Sequence, residues 1–134
     1  MRNVTLLFLV KKLDGKIVDI CLAMKKRGFG VGRWNGVGGK LTEGESIEDG
    51  LVRETREEIG IQAKKFSKVA ELAFTFPHKP DWDQMVHTYT TEEWEGDPRR
   101  FLANSARCYS AGAPERNNIF VVSPLYFLMP VPLA

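Results

Sequence analysis

The sequence predicts an α/β domain in which one amphipathic helix packs against a β-sheet. Three observations support this fold class. Two β-rich segments, residues 4–10 and 17–24, flank the turn signal Asp14-Gly15; a single helical pattern covers residues 46–59; and two further β-rich segments follow at residues 66–76 and 85–91. With 134 residues and 43% hydrophobic content, the chain is predicted to form one domain over residues 1–134.

Charge and cysteine usage exclude several functional classes. A formal net charge of +2 is too small for a protein that clamps a nucleic-acid polymer, so no such partner is expected. Cys21 and Cys108 lack metal-binding spacing, and we expect reduced thiols in a cytoplasmic protein. The apolar run at residues 4–10 is far shorter than the roughly 20 residues of a membrane span, so no membrane partner is expected.

A glycine-rich segment leads into the predicted helix. Residues 25–40 contain six glycines among basic and aromatic residues, a spacing that neither a helix nor a regular strand favours. The helix then begins after Ser46, an N-cap residue with Asp49 in the capping-box position, and stops at Gly60. We therefore expect a functional loop directly before the helix.

Three glutamates share one side of this helix. At about 100° per residue, Glu54, Glu57 and Glu58 fall within an arc of about 100°, beside a buried stripe that includes Leu51 and Ile59. Like charges so close repel one another unless a cation lies among them. Mg²⁺, with Mn²⁺ as the alternative, prefers such oxygen ligands and commonly binds phosphates. A solvated acidic surface is the other interpretation, and the flanking glycines argue against it.

The spacing of these residues resembles the Nudix box. The matching positions are Gly39, Glu45, Arg53, Glu54, Glu57, Glu58 and Gly60, followed by the apolar Ile61. Seven fixed positions would coincide by chance at about one start in 10⁸. The resemblance implies a Nudix fold, a mixed β-sheet sandwich with the box helix packed against it, and hydrolysis of a nucleoside diphosphate linked to another group. Thr55 replaces a bulkier apolar residue of the family, so a small packing loss is expected.

The same resemblance implies a metal centre. Glu54, Glu57 and Glu58 are expected to bind Mg²⁺ or Mn²⁺, with one of them acting as a base toward water. The carbonyl of Gly38 is expected as a further ligand. Such an ion would neutralise phosphate charge and lower the pKa of an attacking water.

Other box residues are expected to support that centre. By the resemblance, Arg53 and Glu45 form a structural ion pair that orients the helix. Gly39 and Gly60 are expected to let the backbone turn sharply at the two ends of the box.

Residues 24–40 are similar to one branch of the family, the oxidised purine nucleoside triphosphate diphosphatases of the 8-oxo-dGTP type. This likeness implies that Asn35 hydrogen-bonds a purine edge and that Lys25 contacts the triphosphate or the base edge. Phe29, Phe74 and Phe76 are expected to wall the base pocket. The implied reaction is Mg²⁺-dependent hydrolysis of an oxidised purine deoxynucleotide to monophosphate and pyrophosphate, which serves nucleotide pool sanitation.

Structural alternatives stay open for these residues. Phe74 and Phe76 have strand periodicity and would share one face, which core packing alone would explain. Lys25 is equally interpretable as a solvated loop charge, and Asn35 as part of a turn with Gly36. The alternative functions are hydrolysis of another nucleoside diphosphate derivative and nucleotide binding without turnover.

The tail departs from the family pattern. Family character extends to about residue 98, residues 99–134 diverge, and no amphipathic helix is recognisable there, so the family's C-terminal helix is predicted to be missing. The family's further acidic ligand and its purine-reading acids have no clear equivalent. Candidates for these positions are Glu92, Glu93, Glu95 and Asp97 for the ligand, and Glu115, Asn117 and Asn118 for the base. The sequence does not indicate an oligomeric state.

Overall fold

A computed structural model of the chain describes residues 1–24, 34–97 and 105–110, with the backbone alone described at Met24, Trp34 and residues 105–110. The elements are, in order, β1 (Arg2–Leu13), β2 (Lys16–Met24), β3 (Trp34–Asn35), α1 (Ile47–Ile59), β4 (Gln62–Phe74), a 3₁₀ turn (Pro80–Trp82), β5 (Gln84–Glu95) and β6 (Ser105–Ser110). Both strands and the single helix that the sequence predicts before residue 60 are present.

The strands form one mixed sheet, as predicted. Its order is β3-β2-β1-β5-β4, and β6 pairs with β2. β1 and β5 are parallel, with the register running from Arg2 opposite Gln84 to Leu9 opposite Thr91, whereas the other pairs are antiparallel. The β1–β2 hairpin turns at Asp14 and Gly15, whose φ angles of 52° and 75° are those that a tight hairpin requires.

Side chains alternate between the two faces of this sheet and form two apolar clusters. The helix-side core comprises Leu7, Leu9, Cys21, Ala23, Val37, Leu51, Ile59, Ile61, Ala63 and Tyr89. The opposite-face cluster comprises Val4, Leu6 and Val86, with the half-buried Phe8 and Phe74 packed against it. The continuous β1–β5 register places odd-numbered residues of β1 on the helix side and even-numbered residues on the opposite face.

Local sequence explains the bounds of α1. The side chain of Ser46 accepts a hydrogen bond from the Asp49 N–H (3.1 Å), and Gly60 adopts a left-handed conformation (φ 68°) that closes the last turn onto Arg56. Thr55 is fully buried, as expected of its methyl group, and its hydroxyl donates to the Leu51 carbonyl at 2.7 Å. That bond satisfies the hydroxyl in an apolar environment.

Several predicted bounds differ from the structure. β4 begins and ends earlier than residues 66–76, so Phe76 lies beyond the strand and does not share a strand face with Phe74. β5 is longer than residues 85–91 at both ends. β6 was not predicted, because its residues show no period; it is formed by pairing with β2, which places Cys108 opposite Cys21. Residues 119–122 and 125–128, whose sequences also favour strands, lie outside the described residues.

Within the described ranges, no helix has the length and apolar character needed to cross a membrane.

Candidate functional site

The segment before the helix lies along β1. The Leu7 N–H donates to the Val37 carbonyl (2.6 Å), and the Val37 N–H donates back to the Leu7 carbonyl (2.9 Å). Two residues further, the Thr5 N–H donates to the Gly39 carbonyl at 2.9 Å. These bonds make the end of the glycine-rich segment a rigid extension of the sheet.

Steric contact explains the Gly38-Gly39 pair. A Cβ on Gly38 would overlap the Thr5 carbonyl, and a Cβ on Gly39 would lie 2.5 Å from the Glu54 carboxylate. Gly39 is not among the residues with positive φ, so the prediction that it permits a sharp turn is wrong: it permits the close approach of Glu54. Gly60 does have the predicted turn conformation.

Arg53 is the centre of an ion-pair network. Its Nε and Nη2 donate to the two carboxylate oxygens of Glu45 at 2.7 and 3.0 Å, so the ion pair that the resemblance implies is present, and it is bidentate. Its Nη1 donates to Glu54 (2.9 Å) and to Glu57 (3.1 Å), and Nη2 also reaches the Lys40 carbonyl (3.1 Å). One guanidinium therefore ties the loop before α1 to the acidic side of the helix.

The pKa values of Glu45 and Glu54, the two less exposed carboxylates of the network, shift in opposite directions. The hydrogen bond from Arg53, assisted by the Thr42 N–H, lowers the pKa of Glu45 to about 2. Burial raises the pKa of Glu54, and the bond from Arg53 only partly opposes that effect. The surroundings of Glu45 thus favour its ionised form. Those of Glu54 disfavour ionisation, because the effect of burial exceeds that of Arg53.

The three box glutamates differ in exposure. The side chain of Glu54 is 15% exposed, that of Glu57 is 58% exposed, and Glu58 is half-buried. In the part of the chain that the structure describes, no group of three or more His, Cys, Asp or Glu side chains is arranged to hold a metal ion. The guanidinium of Arg53 contacts both Glu54 and Glu57. The convergence of the three glutamates on one metal ion stays a prediction.

The donor chemistry nevertheless fits a hard divalent cation. Glu54 is a carboxylate whose ionised form burial disfavours, and a cation would compensate it. Gly38 is buried, and within the described residues its carbonyl accepts no hydrogen bond. The exposed Arg53–Glu57 pair is of a kind that contributes at most about 0.5 kcal/mol, so Glu57 can exchange partners at little cost.

The residues expected around the base are only partly described. Asn35 is buried, its Oδ1 accepts a hydrogen bond from the Gly36 N–H (2.8 Å), and it lies opposite Ala23 of the helix-side core. Phe74 packs on the opposite-face cluster. Since β3 and β4 are the first and last strands of the sheet order, these strands do not by themselves bring Asn35 and Phe74 together. Lys25 and Phe29 lie outside the described residues.

Phe76 is held by the turn after β4. Its N–H donates to Asp83 Oδ1 at 2.7 Å, and its ring packs edge-on against Trp82 with centroids 6.0 Å apart. Lys79 Nζ lies over the Trp82 ring, 4.1 Å from the ring centroid. The turn therefore holds Phe76 just beyond the C-terminal end of β4.

Three of the candidate acids lie at the end of β5 and are engaged in surface pairs. These are Glu92 with Lys12 (3.9 Å), Glu93 with Lys65 (3.7 Å) and Glu95 with Lys64 (3.2 Å). All three carboxylates are more than half exposed, so these pairs add little stability. Glu115, Asn117 and Asn118 lie outside the described residues.

Sequence reasoning missed two buried polar residues of β5, Gln84 and Thr88. They are 0% and 6% exposed. The signal was present in the sequence, because both occupy even positions of a strand whose residue between them, Val86, is a core residue.

Comparisons with known proteins agree with this geometry. Residues 1–107 match the family model of the NUDIX domain. Over 79 residues the chain is 47% identical to the oxidized purine nucleoside triphosphate hydrolase of Mus musculus, which covers 59% of this chain and 50% of that protein. Over 70 residues it is 41% identical to the 8-oxo-dGTP diphosphatase of Escherichia coli K12, covering 49% and 54%. The chain thus spans about half the length of these curated relatives.

Solved structures are similar over more of the chain. A MutT NUDIX hydrolase from Burkholderia pseudomallei superposes with a TM-score of 0.67 at 22% identity, covering 81% of this chain and 82% of that one. A MutT protein from Bacillus halodurans gives a TM-score of 0.57 at 28% identity, covering 72% and 60%. With the family model matching residues 1–107, and with this fold and this loop–helix site, the chain belongs to the NUDIX domain family.

Proposed function

We propose that the chain hydrolyses a nucleoside triphosphate, an oxidised purine deoxynucleotide such as 8-oxo-dGTP, to the monophosphate and pyrophosphate in a reaction that requires a divalent cation. The observation that carries the proposal is the Arg53 network, which links Glu45 to Glu54, with the Glu54 carboxylate against the Gly39 backbone. The names of the two sequence relatives support the substrate class. We propose nucleotide pool sanitation in the cytoplasm as the corresponding role.

The box supplies oxygen ligands for the cation, Mg²⁺ or Mn²⁺. We assign this role to Glu54, Glu57, Glu58 and the Gly38 carbonyl, with Glu57 leaving its exposed contact to Arg53. When bound, the ion supplies neutralisation of phosphate charge and a lower pKa for the attacking water.

The protein's own contribution is positioning. Arg53 is held by both oxygens of Glu45, so its guanidinium keeps a constant orientation toward Glu54. The Glu54 carboxylate is confined between that guanidinium and the Gly39 backbone, which reduces its reorganisation during the reaction. Glu58 lies one helical turn after Glu54, and we assign to it acceptance of the proton from the attacking water.

Base recognition is proposed for the residues that the family likeness indicates. Phe74 and Phe76 are both half-buried and offer aromatic faces near the β4–β5 turn. Asn35 offers an amide with a donor and an acceptor. Lys25 and Phe29 complete the set as contacts to phosphate and base.

The test is pyrophosphate release from 8-oxo-dGTP and from dGTP, with and without Mg²⁺. We expect faster, strictly Mg²⁺-dependent release from 8-oxo-dGTP. Glu58→Gln should lower kcat by about 10²-fold or more while nucleotide binding stays within a few-fold, because the variant keeps the shape but loses the base. Glu48→Gln, the same change at an exposed position of the same helix, is the matched control and should keep normal turnover.

Other outcomes would redirect the proposal. Near-normal turnover by Glu58→Gln would refute the role of Glu58. Release confined to other nucleoside diphosphate derivatives would replace the substrate, and binding without product formation would remove the catalytic function altogether.

A further inference from the structure

On the face of the sheet that α1 does not cover, two buried polar side chains have no hydrogen-bond partner among the described residues. Gln84 begins β5 and is 0% exposed, and within the described residues neither its Oε1 nor its Nε2 has a hydrogen-bond partner. Thr88 is 6% exposed, and its Oγ1 is likewise unpaired in that part of the chain. Buried polar groups in folded proteins are almost always hydrogen-bonded, so three such atoms on one face of a single strand require an explanation.

The register places all three atoms on one face of β5. Gln84, Val86 and Thr88 alternate onto that face. Gln84 lies between Phe74 of β4 and the exposed Arg2 of β1, and Thr88 lies between Ala70 of β4 and Leu6 of β1. The resulting layer is mainly aromatic and aliphatic, with one amide and one hydroxyl and with a guanidinium at its end, a composition that suits a small-molecule pocket.

In the ligand-free protein, the burial of these two side chains lowers the stability of the folded state. An amide removed from water without a compensating hydrogen bond destabilises the folded state, and an apolar residue of the same size would not. A buried amide of this kind is useful where a ligand completes its hydrogen bonds. A ligand that cannot do so leaves the amide unpaired and therefore binds more weakly.

We propose that Gln84 is a specificity-determining residue that hydrogen-bonds the base edge of the nucleotide through both its amide oxygen and its amide nitrogen, with the Thr88 hydroxyl contacting the same base. This inference rests on the proposed function, and it deepens it by naming which side chains select the base. Phe74, which is opposite Gln84, provides the ring against which that base stacks.

The chemistry of the amide indicates the kind of edge. A glutamine side chain offers an acceptor beside a donor, and therefore matches an edge that presents a donor beside an acceptor. The N7 edge of unmodified guanine presents two acceptors, N7 and O6. In 8-oxoguanine N7 carries a proton, so that edge gains a donor between two carbonyl acceptors and can engage both atoms of the amide.

Gln84→Met tests the inference, because methionine has nearly the same length and no hydrogen-bonding amide. We expect its affinity for 8-oxo-dGMP, measured by calorimetry without metal, to fall about 10- to 100-fold. In the triphosphatase assay the loss should appear in KM, with kcat within a few-fold, and the preference for 8-oxo-dGTP over dGTP should shrink by a similar factor. Thr88→Val should show the same pattern with a smaller loss.

Thermal unfolding of the ligand-free protein is the second readout. Gln84→Met should unfold at the same or a higher temperature than the wild type, because it removes unsatisfied polar atoms. Thr91→Val is the matched control on the other face of β5: Thr91 is buried and its hydroxyl bonds the backbone of Lys65 and Glu93. That variant should lose stability and keep the base preference.

Two results with Gln84→Met, and one with the wild-type protein, would overturn the inference. One is an unchanged affinity and base preference in Gln84→Met; the other is a lower unfolding temperature with unchanged preference, which would make the amide structural. Wild-type protein that binds 8-oxo-dGMP but hydrolyses no nucleotide would refute the proposed catalysis. The role of Gln84 would then be decided by the affinity of Gln84→Met for 8-oxo-dGMP alone. Wild-type protein that does not bind 8-oxo-dGMP would refute the Gln84 assignment.

Discussion

The helix-side face and the opposite face of the sheet bury polar side chains in different ways. On the helix side, the hydroxyls of Thr55 and Thr91 bond backbone carbonyls, and His87 Nε2 lies 3.0 Å from Asn3 Oδ1. The exception there is His87 Nδ1, which lies 3.6 Å from the Glu71 carboxylate and has no hydrogen bond within the ranges that the structure describes. On the opposite face, Gln84 has no partner among the described residues.

The difference distinguishes polar groups that stabilise the fold from polar groups that we propose to select the base. Groups that satisfy one another inside the protein stabilise it whether or not a ligand is present, so the helix-side residues stabilise the fold. Groups without an internal partner lower stability and gain their bonds only from a ligand. Substitutions on the two faces should therefore have opposite effects on stability and on base selection.

The largest expected effect is loss of folding stability in Gly38→Ala. The new Cβ would overlap the Thr5 carbonyl, so the loop must leave β1, and we expect a loss of about 3–5 kcal/mol in the free energy of unfolding. Gly44→Ala is the control: φ is 76° there and nothing lies within 4 Å, so only left-handed strain of about 1–2 kcal/mol remains. Urea unfolding measures both, and equal losses would show that Gly38 has no special steric role.

Arg53→Lys should separate orientation from charge. Lysine keeps the positive charge but cannot donate the paired Nε and Nη2 bonds to Glu45, so Glu54 loses its fixed support. We expect kcat to fall about 10²-fold with little change in base preference. Arg56→Lys on the same helix should change kcat less than about two-fold, because Arg56 is exposed and bonds only the side chain of Gln62 among the interactions described. A normal kcat in Arg53→Lys would contradict the orienting role.

The smallest effect is a pH dependence of stability from His87. Burial lowers the pKa of His87 and the charge of Lys68 acts in the same direction, while Glu71 opposes it. The unfolded chain therefore binds a proton at a higher pH than the folded protein does. The resulting stability is complete above the ordinary histidine value of 6.5 and declines as the pH falls from there through the lowered pKa.

His87→Gln should make the unfolding free energy less dependent on pH between about 7 and 5. The exposed His78→Gln is the matched control and should leave the wild-type slope unchanged. An identical slope in all three proteins would show that His87 does not control this dependence.

Local signals predicted much of the fold. Ser46 and Gly60 act at the helix ends as their residue types require, and Asp14-Gly15 turns the hairpin, because capping and turn preferences depend on only a few adjacent residues. β6 escaped prediction because it is defined by pairing with a distant strand. The single domain over residues 1–134, the ligand set and the base contacts stay predictions.

For the site, the order of residues along the chain by itself determined the spacing of the Nudix box and the helix that carries it, and the resemblance to the family implied the pairing of Arg53 with Glu45. Only the tertiary structure decided that Arg53 also contacts Glu54 and Glu57, that Gly39 is small because Glu54 approaches it, and that the polar atoms of Gln84 are buried with no partner among the described residues. The physical reason is that spacing along a helix limits which side chains can meet, whereas burial and hydrogen bonding depend on segments that only folding brings together.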